Sequence, residues 1–439
     1  MKTGGLLDRL CLFFEVQERG STLGTEVLAG VSTFLALSYI FVVNPSILAA
    51  AGMNREAVFF ATVVTSAAAT AATGLWARLP FALAPGMEMN AYLAYFVVGS
   101  LHVSWQRALG AVFWSGVLFL LVTVSGVRKR IIASIPGGMK KALSVSVGTF
   151  IALVGLRVAG VLRYTGTRLA GLGALRSRET AVLGVGLLVV AVLQRFRVRA
   201  AVLLGIIAAS IAAFGLGLGG SVRGVVGGVG GPLSAVGELE LGGILDTQVV
   251  AVIIILFVLE FYGSVAKFIA LSSRTSITSH GELPRLQEAL MIDGAASAAG
   301  GVLGTSSVTA YVESSVGINI GGRTGMTAVM CAILMLACLP LAWLLRLTPA
   351  VATAGGLVYV GFALLPKLSD LRSYSWVDGL SIVVMQALVV WTFALDKALF
   401  GAFLVYSIGE LLSRRRVNPY LLVSTLLLAL GVGLQVFGG

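Results

Sequence analysis

The chain has 439 residues, 58% hydrophobic and only 11% charged, with 31 Lys+Arg against 19 Asp+Glu for a net charge of +12. Soluble domains carry about 25% charged residues, and a mean hydropathy of +0.98 demands surroundings as apolar as the side chains themselves. That excludes a soluble enzyme, a disordered chain and a fibrous repeat, and the short basic clusters between apolar runs encode membrane orientation rather than a nucleic-acid partner.

In chain order, residues 1–24 form an N-terminal interfacial segment. Leu6, Leu7 and Leu10–Phe14 are interrupted by Asp8, Arg9, Glu15 and Glu18, which suits an amphipathic helix at the membrane surface rather than a cleaved signal. A bilayer core of about 30 Å needs roughly 20 apolar residues per helix. Spans are predicted at 25–50, 57–76, 107–127, 135–160, 179–195, 200–219, 247–271, 287–303, 324–345, 349–366, 376–394, 396–413 and 418–437. Two further stretches, FALAPGMEMNAYLAYFVVG (81–99) and GTSSVTAYVESSVGINIG (304–321), are apolar but carry Pro, Gly and small polar residues. Such backbone is tolerated in a membrane only inside protein or along a cavity. Between 215 and 232, nine of eighteen residues are Gly, without a GxxxxGK[ST] motif, so 220–245 is predicted to be a flexible linker.

The linker divides the chain near its middle, and the broken stretches, centred at Asn90 and Glu313, fall at matching places in the two halves. Seven spans per half is odd, so the second half inserts upside down, as in secondary transporters. The predicted fold is all-α and polytopic, with about 14 transmembrane helices as two inverted seven-helix repeats and broken third and tenth helices. Residues 25–219 form the first repeat (core helices 25–127, gate helices 135–219) and 246–439 the second (core helices 247–345, gate helices 349–437). The apolar stretches number fifteen, so one C-terminal stretch does not span or 418–437 is an addition. With the N-terminus inside, 21 of the 31 basic residues face the interior, as the positive-inside bias prefers. Arg157, Arg163, Arg168, Arg176 and Arg178 run against it.

An ionisable side chain deep in a bilayer costs at least about 2.5–3.5 kcal/mol, which makes it a functional candidate. Glu260 follows thirteen uncharged residues, Glu313 sits in the second broken stretch and Glu88 in the first. Each could instead be a structural carboxyl joining two helices. Lys267 lies two turns beyond Glu260, and snorkelling to the interface is its plainer reading. Asn90, Ser306, Ser307, Thr309 and Ser314 would line the same place, where half-helices aim backbone N–H groups into the cavity. Tyr92, Tyr95, Phe261, Tyr262 and Tyr311 offer faces for a flat ring. The matching ligand is small, planar, neutral and edged with donors and acceptors.

Other chemistries are poorly supplied. Cys11, Cys331 and Cys338 have no metal spacing, and His102 and His280 lie in predicted loops. Neither a metal site, a cofactor nor an enzyme's nucleophile–base pair is expected; the one expected accessory is a coupling proton.

The residues resemble the nucleobase/ascorbate transporter superfamily, in its adenine/guanine/hypoxanthine permease branch. The resemblance runs from about Gly24 to Arg416 and is carried by TEVLAGVSTFLALSYIFVVNPSILAAAGM (25–53), ALAPGMEMNAYLAY (82–95), GTSSVTAYVESSVGI (304–318) and GGRTGMTAV (321–329). It implies fourteen helices in two inverted repeats, a core moving against a gate, and a base held between the broken third and tenth helices, coupled to protons. Asn90 then falls on the third-helix Asn, Glu313 on the tenth-helix Glu that grips the base, and Glu260 on an eighth-helix carboxylate. The branch's Asp-Leu-Phe-Asp-Thr is Glu260-Phe-Tyr-Gly-Ser264 here, so Gly263 replaces an Asp and Tyr262 a Phe. Glu88 stands where Gly is usual and Lys267 where a small residue is usual. Glu88 either replaces the missing charge in part or pairs with Lys267.

The expected activity is proton symport of a nucleobase, most simply a purine such as adenine, guanine or hypoxanthine, by alternating access. Asn90, Glu260, Glu313, Ser307 and Thr309 bind it, Glu260 couples the proton, and Glu88, Tyr262 and Lys267 are accessory. The longer Glu260 leaves a uracil- or xanthine-type base open, and an anion carrier of the same fold is a further alternative. The expected setting is a prokaryotic cytoplasmic membrane, with the bilayer and the base as partners and a homodimer left open.

Overall fold

A computed structural model describes residues 6–126, 137–166, 168–219, 231–272, 275, 277, 283–365, 375–412 and 418–437. The helices are α1 (Leu6–Phe13), α2 (Leu23–Leu37), α3 (Ile40–Ala49), α4 (Arg55–Ala72), α5 (Met87–Ala91), α6 (Trp105–Val124), α7 (Gly137–Val158), α8 (Arg178–Arg195) and α9 (Ala201–Gly215) in the first half. In the second half are α10 (Thr247–Ser272), α11 (Leu286–Leu303), α12 (Ser314–Ile320), α13 (Gly325–Leu336), α14 (Ala354–Ala363), α15 (Trp376–Thr392), α16 (Leu395–Leu412) and α17 (Pro419–Phe437). Four short strands complete the fold: β1 (Leu83–Pro85), β2 (Leu162–Thr165), β3 (Arg168–Leu172) and β4 (Val308–Ala310).

The helix starts follow local chemistry. Thr22, Asn54, Ser104, Ser177 and Thr324 each accept a first-turn amide at the start of α2, α4, α6, α8 and α13, and Ser375 forms a reciprocal capping box with Asp378 at α15. These side chains satisfy amides that have no intrahelical partner. The runs Leu23–Ala49, Arg55–Ala77, Trp105–Val124 and Thr247–Ser272 are each long and apolar enough to cross a bilayer. The span predicted at 324–345 is instead bent by 60° between Gly325–Leu336 and Leu339–Leu347, where Pro340 lacks an amide hydrogen and breaks the ladder. The span predicted at 349–366 begins with a tight turn of 3-10 helix, Ala350–Thr353, after Pro349.

The broken stretches are where the two halves meet. β1 pairs antiparallel with β4, Leu83 opposite Ala310, Ala84 opposite Thr309 and Pro85 opposite Val308. So short a ladder leaves polar backbone atoms over, and hydroxyls from flanking helices take them. Thr70 on α4 donates to Leu83 O at 3.0 Å and accepts from Leu83 N at 2.9 Å. Ser297 on α11 does the same for Val308, both at 3.0 Å. Irregular backbone at membrane depth is thereby satisfied within protein.

Small residues let the helices approach. A Cβ on Gly116 of α6 would meet Ala298 N at 2.4 Å, and one on Gly301 of α11 would meet Leu109 O at 2.8 Å. α7 and α14 meet likewise through Gly148 and Gly361. In lipid, where burial of apolar surface gives little drive, such close packing holds helices together. Gly301→Val is expected to lower stability by about 1–3 kcal/mol through overpacking, measured as a fall in the thermal unfolding midpoint of the purified protein.

Three segments depart from the sequence expectations. The linker is free at most in part: 220–230 lie outside the described residues, but Gly237 N donates to Val302 O at 2.8 Å, Glu240 N to Gln106 O at 3.0 Å, and Leu241–Leu245 is a 3-10 turn. Arg107 fastens it further, to Glu240 at 3.0 Å and Asp246 at 3.6 Å. The basic 157–178 region holds the β2–β3 hairpin, turned at Gly166, whose φ is +59°. After α1, whose Leu12 and Phe13 are exposed, Phe14 and Val16 bury themselves against Met326. There Glu15 bridges Arg19 at 2.8 Å and Arg78 at 2.5 Å, and the Arg19 hydrogen bond holds its carboxyl below the usual carboxylate range.

Candidate functional site

Each strand runs straight into a half-helix, which fixes the site. β1 turns at Gly86 into α5, where no side chain caps the first turn. β4 leads through Tyr311–Glu313 into α12, with Glu313 at its N-cap. A cavity of about 40 Å³ opens there, lined by Met87, Glu88, Lys267, Tyr311 and Glu313 among others. Its far wall is Val147 and Ile151 of α7 with Val360 and Leu364 at α14. At about 40 Å³ the cavity is far smaller than an ordinary ligand pocket, which measures roughly 300–1,000 Å³.

Three ionisable groups share this cavity. Lys267 Nζ donates to Glu88 Oε1 at 2.6 Å, with their side chains 19% and 5% exposed. Lys267 is thus turned inward rather than to the interface, and of the two readings of Glu88 the geometry displays the ion pair. Glu313 receives a hydrogen bond from Tyr39 Oη at 2.6 Å. Tyr311 Oη donates to Pro85 O at 2.7 Å, tying the two broken stretches together beside the cavity. With one ammonium against two carboxyls, the cavity is neutral only if one carboxyl holds a proton.

The remaining sequence candidates form a layer behind it. Glu260 is fully buried and accepts from Ser115 Oγ on α6 at 3.2 Å. It lies seven residues, about two turns, from Lys267, hence on the same face of α10. Ser264, on that face too, shares a hydrogen bond with Thr309 at 3.1 Å. Asn90 Oδ1 accepts from Ser306 Oγ, and Ser307 O accepts from Gly86 N at 2.9 Å. Ser314 Oγ accepts from Ala82 N at 2.9 Å. Tyr262 is not brought to the cavity: its hydroxyl pairs with Ser424 of α17 at 2.5 Å and its ring stands edge-on to Phe403. The position lies on another face of α10, set by the 100° step per residue. His280 falls outside the described residues.

Sequence reasoning missed Tyr39 and the apolar wall. Tyr39 had a signal, since it and Asn44 are polar breaks in a long apolar run. Asn44 donates to Thr62 at 2.7 Å and Thr305 at 2.9 Å. Val147, Ile151, Val360 and Leu364 had none, because apolar residues in apolar spans look alike. Among the described residues no group of three His, Cys, Asp or Glu is placed to hold a metal ion.

A multi-pass helical membrane fold, with a charged cavity where two broken spans cross, defines a membrane transporter rather than an enzyme. The chain belongs to the permease family, whose pattern matches residues 24–388, and several of its relatives are named adenine or guanine/hypoxanthine permeases. It is 33% identical over 431 residues to adenine permease AdeP of Escherichia coli (strain K12), covering 98% of this chain and 96% of AdeP. It is 30% identical over 430 residues to guanine/hypoxanthine permease PbuO of Bacillus subtilis (strain 168), covering 94% and 98%. The transmembrane domain of a cyanobacterium bicarbonate transporter, BicA, shares the fold, with a TM-score of 0.66 at 17% identity over 87% of this chain and 97% of that one.

Proposed function

We propose that the chain carries a purine nucleobase across a prokaryotic cytoplasmic membrane by proton symport with alternating access. The observation that carries this is the cavity itself: carboxyls, an ammonium and an uncapped half-helix, with apolar side chains of α7 and α14 completing the lining. Such a lining offers acceptors and donors to the edge of a flat base and an apolar surface to its faces. The names of the purine-permease relatives favour adenine, guanine or hypoxanthine over a uracil- or xanthine-type base. An anion carrier is disfavoured because an anion would meet Glu88 and Glu313 before Lys267.

In this reading Glu313, held by Tyr39, accepts from the base, and Asn90, Ser307 and Thr309 shape the crossing behind it. Glu260 takes up and releases the coupling proton. Thr70 and Ser297, which serve β1 and β4 alike, support two inverted repeats of seven spans (25–219 and 246–439). Core helices (25–127 and 247–345) slide past gate helices (135–219 and 349–437) at the wall of α7 and α14. The basic clusters place the N-terminus inside, and pairing of gates as a homodimer completes the proposal.

The test is uptake of labelled purines and pyrimidines into proteoliposomes, with and without a pH gradient. Purine accumulation that collapses with the gradient is expected; uptake of none of the bases would sink the reading. Tyr39→Phe removes one hydrogen bond to Glu313 and should weaken purine binding by roughly five-fold, about 1 kcal/mol. Equilibrium binding to purified protein checks it.

A further inference from the structure

A second ionisable site lies away from the cavity, at the tip of the hairpin formed by α15 and α16. The chain reverses there through Phe393 and Ala394, with Phe393 in the left-handed region at φ 45°. A loop tip normally meets water, yet Phe393, Ala394, Leu395 and Asp396 are all buried. Aromatic groups enclose it: Phe150 and Tyr164 lie 5.1 and 4.6 Å from the Phe393 ring, and Tyr95 stands edge-on at 6.1 Å.

Asp396 is fully buried in this tip, and among the described residues no side chain donates to its carboxyl oxygens, which have beside them only the backbone amides of the first turn of α16. No cation pairs with it directly: among the described residues the nearby ones lie over aromatic rings, and only Lys397 is close enough for its charge to reach Asp396. Arg157 at the end of α7 spreads over the rings of Phe393 at 4.7 Å, Tyr95 at 5.0 Å and Tyr164 at 5.8 Å. Lys397, next in sequence, reaches over Phe96 at 5.8 Å. No ion pair to Asp396 occurs among the described residues. Tyr92, on the half-helix that follows α5, stands near Asp396 and accepts from Gln435 Nε2 of α17 at 3.2 Å. Gln435 Oε1 is itself without a partner. At the far end of the hairpin, Tyr406 donates to Asp378 at 2.9 Å, which takes those groups out of play.

We infer that Asp396 is a proton-binding site whose charge state is coupled to the seating of the hairpin tip against the third span. Burial with no ion-pair partner disfavours the ionised carboxyl, so seating of the tip favours the neutral acid. When the tip withdraws and water enters, the acid loses its proton to solvent; re-seating favours taking one back. Acid therefore favours the seated arrangement and alkali the withdrawn one. Tyr92 and Tyr95 sit on the same broken span that frames the ligand cavity, so the tip's seating and the site's access move together. This goes beyond the proposed carrier role of Glu260 and rests on the transport reading only for its consequence.

Infrared difference spectroscopy of the full-length protein in lipid tests the site without any substrate. Wild type minus Asp396→Asn should show a protonated-carboxyl band at neutral pH, shifted in heavy water, that fades as pH rises. Transport supplies the second readout: Asp396→Asn should still bind and exchange base, with a pH–rate profile flattened relative to wild type. Asp396→Glu keeps the acid and should keep the band and a displaced profile, which decides the matter should the Asn variant fail to fold. Absence of the band, or an Asn variant with the wild-type profile, would overturn the inference. A wild type that shows the band but transports no nucleobase would reject the transport reading while leaving the proton site standing.

Discussion

Glu313→Gln should weaken binding of a purine base by roughly 10- to 100-fold, the loss of hydrogen bonds to a charged acceptor worth about 1.5–3 kcal/mol. The effect is large because Glu88, the other carboxyl of the cavity, is engaged by Lys267. Glu313 stands at the N-cap of α12, positioned by β4, and Tyr39 fixes one of its oxygens. The amide of Gln keeps the shape but offers one acceptor oxygen in place of two, and its NH₂ would face a donor. Glu313→Asp keeps the charge but retreats by one methylene, so a smaller loss is expected. Equilibrium binding of labelled adenine, guanine and hypoxanthine is the measurement, and unchanged affinity in the Gln variant would remove Glu313 from the site. Glu260→Gln separates the two carboxylates: it should spare binding and exchange but abolish accumulation driven by a pH gradient.

The second large effect concerns the pair of Glu88 and Lys267. Breaking a buried ion pair by removing one member costs about 3–5 kcal/mol, because the other charge is stranded, whereas removing both is often neutral. Lys267 is partly exposed, which places the expected loss at the lower end, about 3 kcal/mol. Glu88→Gln and Lys267→Met should each lower the thermal unfolding midpoint and uptake, and the double variant should recover much of the stability. A double-mutant cycle isolates the coupling. Additive losses would show that the two groups act separately despite their 2.6 Å separation. Lys267→Met alone also leaves two carboxyls facing one small cavity. The single variant should therefore take up base less well at alkaline pH than at acid pH, because like charges there are relieved by a proton. Uptake as a function of pH in matched proteoliposomes checks this.

Much of the architecture was legible before any coordinates. Long apolar runs can only be membrane spans, and Pro, Gly and Ser within 81–99 and 304–321 had to break helices. Glu88 and Glu313 stood out because a carboxyl there is costly. The 418–437 stretch, apolar and helix-capable, is a full helix on α10 and α16. Less was legible where packing, not composition, decides. Tyr262 and Glu260 are two residues apart on α10, yet one meets α17 and the other α6. The tight β2–β3 hairpin gave no apolar pattern, its residues alternating between partly buried and exposed on a surface loop.

Composition and the placement of a few disobedient charges thus pointed to a polytopic transporter, to where its helices break and to the carboxyls that lie at the breaks. These are properties of each segment against its solvent, and a segment's cost in lipid can be summed residue by residue. Which charges meet was decided only in three dimensions. Glu88 and Lys267 are 179 residues apart, Tyr39 and Glu313 are 274 apart, and the tip that carries Asp396 is enclosed by the third span, α7 and the β2–β3 hairpin. Such contacts depend on helix rotation and close approach, set by glycines and crossing strands across the whole bundle, which no local pattern records.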